Sequence, residues 1–163
     1  MAKVLKTEEQ KETAEEKKIL KQEYISAVGK RKESVARVRL YQTVKDGFLV
    51  AGEKVKKGEI FVNDKKIENY FFGEIAKAHY LEPLKITNSL DKYILIFRVA
   101  GGGQSGQLDA VIHAISRVLS LVDLKNRQIL KKRGFLTRDS RIRERRKVGM
   151  GGKARRKRQS PKR

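Results

Sequence analysis

The last 33 residues, 131–163, hold 16 Lys and Arg against two acidic side chains, which leaves +14 of the chain's net +21. Like charges at this density repel one another. The apolar residues among them (Phe135, Leu136, Ile142, Val148 and Met150) follow no helical or strand period. Such a segment cannot bury a core. Any fold must therefore be assembled upstream, and residues 131–163 are expected to form an extended tail beside a polyanion. At about 3.3–3.6 Å per residue the tail spans on the order of 110 Å.

Residues 1–23 carry six basic and six acidic side chains. Thr7 with Gln10 fits a capping box, and Glu8–Lys11 and Glu15–Lys18 are helix-favouring pairs. No apolar stripe runs along this stretch, which reads as a charged N-terminal extension, helical or disordered. Residues 24–130 hold 18 basic and 11 acidic residues and contain the core-forming patterns. A single α+β domain with a mixed sheet and packed helices is expected there.

In that domain YISAV and SVARVRLYQ read as strands. Ala36, Val38 and Leu40 alternate with Val35, Arg37, Arg39 and Tyr41, the period of a half-buried strand. The basic stretch from Gly29 to Glu33 reads as their connection, and residues 43–58 as a loop or irregular hairpin. Glu59 to Val62 is a third strand, followed by an Asn63-Asp64 turn. IENYF and EIAKAHY suggest short helices. Lys92 to Val99 is the most strand-like stretch of the chain. A helix is expected from near Gln107, with Leu108, Val111, Ile112, Ile115, Leu119 and Val122 as its buried face. A second short helix spans Leu124 to Arg133 and is closed by Gly134.

Several function classes fall away. The chain has no cysteine, so disulfides, thiolate zinc sites and cysteine nucleophiles are excluded. Its longest apolar run, Tyr93 to Phe97, is far short of the ~20 residues of a membrane span. A soluble, cytoplasmic protein with no membrane partner is expected. His79 and His113 have no metal-ligand spacing, and no metal site is expected. His113 lies at ladder spacing from Asp109 and Arg117, a helix-surface arrangement. Ser34, Ser105 and Ser140 lack a G-x-S-x-G context. No enzyme, cofactor or small-molecule substrate is indicated.

One motif invites a different reading. Residues 101–106 satisfy G-x-G-x-x-G after a strand and before a helix, with Asp123 near the place of a ribose-binding acid. That acid should end a second strand, whereas residues 107–122 read as helix and no βαβ repeat follows. The loop is therefore either a phosphate-approaching turn, suited to a nucleic-acid backbone, or a tight strand-to-helix connection. Lys30, Arg31, Lys32, Arg37 and Arg39 form a further basic cluster. Six tail arginines lie within 133–146, where their planar forks suit phosphates and bases.

Three blocks carry a resemblance. They are AVGKRKESVARV at 27–38, GGGQSGQLDAVIHAISRVL at 101–119, and GFLTRD at 134–139 with the basic runs that follow it. With IFVNDKKIENYF they span residues 24–163. The chain resembles the universal small-subunit ribosomal protein nine family in its bacterial form. The resemblance implies a ribosomal protein S5 domain 2-like fold with a left-handed βαβ crossover, against the usual right-handed rule. It implies binding to ribosomal RNA in the head of the small subunit, beside neighbouring head proteins. It also implies a tail that reaches peptidyl-site tRNA.

Carried over, Lys162 and Arg163 are the expected tRNA contacts. Ribosomal RNA contacts are expected from Lys30, Arg31, Lys32, Arg37 and Arg39, and from the loop residues Gly101, Gly102, Gly103, Gln104 and Ser105. In the tail they are expected from Arg133, Arg138, Arg141, Arg143, Arg145, Arg146 and Lys147. Lys153, Arg155, Arg156, Lys157 and Arg158 complete the set. The sequence departs from the family pattern in its N-terminal 23 residues, in a long 44–58 loop, and at Arg158 to Arg163, where the usual aromatic is absent. A generic basic protein that compacts nucleic acid is the alternative.

Overall fold

Strand β1 (Ile25–Arg31) and strand β2 (Ser34–Tyr41) form a tight hairpin in the computed structural model, which describes residues 23–42, 49–50 and 53–145. The register pairs Arg31 with Ser34 and Val28 with Arg37, so only Lys32 and Glu33 form the turn. Most of the expected basic connection is therefore strand. Lys32 takes a positive φ of 51° at the bend.

Short strands β3 (Leu49–Val50) and β4 (Glu53–Lys54) make a separate two-strand ladder. Strand β5 (Ile60–Val62) turns into β6 (Lys65–Lys66) through Asn63 and Asp64, with φ 47° and 66°. Two consecutive positive φ values suit a short hairpin and are tolerated best by Asn, Asp and Gly. The Asn63 side chain also bonds the backbone N–H and C=O of Val99, both at 2.9 Å.

Helices α1 (Ile67–Tyr70) and α2 (Glu74–Ile86) follow. Helix α2 runs six residues past the end of EIAKAHY and contains Pro83. Proline normally signals a stop. Here Pro83 and Leu84 are buried, and packing carries the helix one turn further.

Strand β7 (Ile94–Ala100) lies between β2 and β5, antiparallel to the first and parallel to the second. The sheet order is β1-β2-β7-β5-β6. The β5-to-β7 connection is thus a parallel crossover that carries β6, α1 and α2. The result is the expected α+β domain with a mixed sheet.

Helix α3 (Gln104–Val122) starts three residues before the expected point. Its buried face is Ala110, Val111, Ala114, Ile115, Val118 and Leu119. Leu108, Ile112 and Val122 are only partly buried. The small residues face the sheet because β1 comes very close. A Cβ placed on Gly29 would lie 2.0 Å from the Ala110 carbonyl oxygen and 2.5 Å from the Ala114 nitrogen. Only glycine permits this strand-on-helix contact.

Helix α4 (Leu124–Lys132) is capped by Asp123, whose side chain accepts from the Lys125 N–H at 2.9 Å. It ends with Gly134 at φ 79°, with Phe135 N donating to Leu130 O and Gly134 N to Lys131 O. These two bonds form the Schellman pattern.

The main core lies between the sheet and helices α2, α3 and α4. It is built from Ala36, Val38, Leu40, Leu95, Phe97, Tyr80, Ile115, Leu119 and Leu130. Phe135 and Leu136 pack against it, so packing continues past residue 130. A smaller cluster of Tyr41, Val55, Phe61 and Ile94 covers one end of the opposite sheet face.

Candidate nucleic-acid interface

Three places bring the expected contact residues together. The first is the root of the tail. Arg31 shares the helix-covered face of β1 with Gly29 and Ala27. Its guanidinium lies 3.4 Å from the Asp109 carboxylate on α3 and 3.1 Å from that of Asp139. Its Nη1 donates to the Arg141 carbonyl at 2.9 Å. The Arg31 side chain is only 14% exposed. It is a tie between strand, helix and tail.

Asp139 is gripped again by Arg141, through the backbone N–H at 2.9 Å and the guanidinium at 2.6 Å. The Arg141 guanidinium and N–H hold the Asp139 carboxyl well below the usual carboxylate range, with a smaller contribution from Arg31. Arg133, Arg138, Arg141, Arg143 and Arg145 are all exposed, and no helix or strand forms from Arg138 to Arg145.

His113 is part of the same joint. Its Nδ1 accepts from the Lys30 N–H at 3.4 Å, and it makes a further backbone hydrogen bond with Leu136. Burial lowers its pKa, and Arg117 and Arg138 lower it further, against the two backbone bonds. The ladder spacing of Asp109, His113 and Arg117 has a different use from a surface network. Asp109 reaches Arg31, His113 reaches Lys30 and Leu136, and Arg117 Nη1 donates to the Val28 carbonyl. All three side chains fasten α3 to β1 or to the tail root.

The second place is the glycine loop. Gly101 and Gly102 have φ values of 76° and 61°. A Cβ on Gly102 would meet Ser34 Oγ at 2.1 Å, and one on Gly101 would meet the Glu33 carbonyl oxygen at 2.5 Å. These two glycines let the loop sit on the β1–β2 turn, and of the two readings the close connection explains them. Ser34 Oγ and Gln107 Nε2 both donate to the Gly101 carbonyl, at 3.2 and 3.0 Å. Tyr70 fixes Gln107 from behind at 2.8 Å. Gly101, Gly102, Gly103, Gln104 and Ser105 remain exposed, beside the β1–β2 turn. Helix α3 leads into helix α4 and not into a second strand, so the loop lacks the setting of a dinucleotide fold.

The third place is the sheet face turned away from α3. Lys30, Arg37 and Arg39 are exposed there. Arg98 of β7 stands directly opposite Arg37 in the register. It was missed in the sequence, although one cation inside the apolar run ILIFRVA marks an outward position. Lys30 and Arg31, neighbours in the chain, face opposite sides of the sheet.

Arg146, Lys147, Lys153, Arg155, Arg156, Lys157, Arg158, Lys162 and Arg163 lie outside the described residues, as do residues 1–22. Among the described residues, no three His, Asp or Glu side chains converge as a metal site.

A family profile described as ribosomal protein S9/S16 matches residues 29–163, from the end of β1 through the whole tail. This range takes in the strand glycine seated on α3, the glycine loop and the tied tail root. The match covers most of the chain, which belongs to the ribosomal protein S9/S16 family and is a structural ribosomal protein of the small subunit.

Proposed function

We propose that the protein binds ribosomal RNA in the head of the small subunit and touches peptidyl-site tRNA with the end of its tail. The observation that carries this reading is the charge that leaves the tail root. Asp139 is the last carboxylate tied to the domain, and beyond it the sequence to Arg163 has only Glu144 against its cations. Those cations, from Arg141 to Arg158, neutralise phosphates and release counterions, which makes binding steeply salt-dependent. Arg133 and Arg138, the outer rim of the glycine loop and Lys30, Lys32, Arg37 and Arg39 supply further backbone contacts. Arg31 fixes where the tail begins.

In this reading Lys162 and Arg163 meet the tRNA backbone, and neighbouring head proteins complete the site. The role is structural, in the cytoplasmic ribosome. The test is filter binding of tRNA to purified small subunits carrying Lys162→Ala with Arg163→Ala. Weaker peptidyl-site tRNA binding with near-normal assembly is the expected result. Unchanged affinity overturns the tRNA contact. Preference of the free protein for duplex DNA over structured RNA overturns the RNA assignment in favour of generic nucleic-acid compaction.

A further inference from the structure

We infer that the open sheet face around Tyr24, Arg37, Arg39 and Arg98 holds a single-stranded segment of RNA, at a site separate from the tail. The inference rests on the RNA-binding reading above and adds to it a place and a substrate form.

A groove of about 350 Å³ runs across this face between the start of β1 and β7. Its lining brings together Tyr24, Ser26, Arg37, Arg39 and Arg98. Arg37 and Arg98 are directly paired across the strands, and Arg39 is two residues along from Arg37. Residues that alternate on one strand face lie roughly 7 Å apart, so three guanidiniums form a compact cationic triangle. Among the described residues none of the three pairs with a carboxylate. Asp64, the one acidic side chain lining the groove, makes no ion pair with them there.

The aromatic element favours a single strand. Tyr24 is 45% exposed, and the Arg39 guanidinium carbon lies 5.0 Å from its ring centroid. The Tyr24 and Tyr41 rings are 5.9 Å apart. Arg39 is therefore held over the Tyr24 ring and hydrogen-bonded to Tyr41, and together they form a platform on which an unpaired base can stack. The groove's volume of about 350 Å³ has room for a stacked base. Phosphates flanking the stacked base fall to Arg37 and Arg98 as planar forks. A polyanion without bases gains nothing from Tyr24, which separates RNA from an acidic peptide.

The test uses the full chain and two probes, a short single-stranded RNA containing 4-thiouridine and a blunt RNA duplex of equal length. Affinity is measured by anisotropy over a salt series, and crosslinks are mapped by mass spectrometry. Arg37→Ala with Arg98→Ala should lower the single-strand salt slope by about 1.4, at about 0.7 per phosphate contact. Arg37→Lys with Arg98→Lys should keep that slope. Tyr24→Leu should weaken single-strand binding about tenfold and leave duplex binding unchanged. Crosslinks should fall on Tyr24 and on β1 or β2. Equal losses on the duplex, displacement by an acidic peptide as effective as by RNA, or variants indistinguishable from the parent overturn the inference. A parent chain that binds neither RNA overturns the broader function as well, which distinguishes the two failures.

Discussion

Arg31 and Arg37 stand on adjacent strands of one hairpin but on opposite faces of the sheet. Arg31 faces α3, where two carboxylates and a carbonyl hold its guanidinium. Arg37 faces outward, opposite another arginine and without an acidic partner among the described residues. The helix-covered face neutralises its cations and uses them as ties. The open face leaves them uncompensated. A buried or half-buried charge persists only when paired, whereas a solvated cluster of like charge is tolerated and attracts counterions. Net charge alone therefore does not say which arginines are left open to an anionic partner.

The largest expected effect falls on the helix-covered face. Gly29→Ala drives a Cβ into the backbone of α3 and should cost at least about 3 kcal/mol, the upper end for overpacking. Denaturant unfolding should show the midpoint falling at an unchanged slope; a midpoint shift near zero would mean that β1 and α3 separate freely. Arg31→Met comes next. It keeps the aliphatic stem but leaves Asp109 and Asp139 facing each other, and roughly 1–2 kcal/mol should be lost, discounted for the half-exposed Asp109. Hydrogen exchange at residues 138–141 should speed up in this variant, and protection that persists would show that the tie does not hold the tail.

Acidification probes the same joint. The His113 pKa is depressed in the fold, so the unfolded chain binds its proton more readily. Stability should be full above the ordinary histidine pKa near 6.5 and fall as pH drops below it. Asp139, also depressed, adds a loss only below the usual carboxylate range. His113→Gln should remove the first phase of a pH-dependent melting series and leave the second. The smallest effect on stability belongs to the open face. Arg37→Ala should change it by less than about 0.5 kcal/mol, while the single-strand RNA salt slope falls by about 0.7.

The local patterns were legible wherever the deciding forces were local. Alternation in β2 gave its two faces, although Tyr41 on the outward one is buried against Val55, Phe61 and Ile94, and Asn63-Asp64 marked a turn whose φ values need those residue types. The α+β class and the run of elements followed. Gly29 misled, because glycine argues against a strand and its reason lies on α3, about eighty residues away. The expected helix at EIAKAHY was six residues too short, since burial of Pro83 and Leu84 outweighs the loss of one helix bond. The basic cluster at Lys30 to Lys32 read as one unit, but strand pleating sends Lys30 and Arg31 to opposite sides. Nothing near Arg31 in the chain announces Asp109 and Asp139 as its partners.

The tie at Asp139 and Arg141 also resets the tether. Measured from residue 131 the contour of the tail is on the order of 110 Å. Arg31 holds the chain at Arg141, and the sequence beyond it to Arg163 has 22 residues, a contour of at most about 70–80 Å. A shorter contour from a fixed point limits how far Lys162 and Arg163 can lie from the domain. Loosening Arg31 would therefore widen that limit without altering a single residue near them.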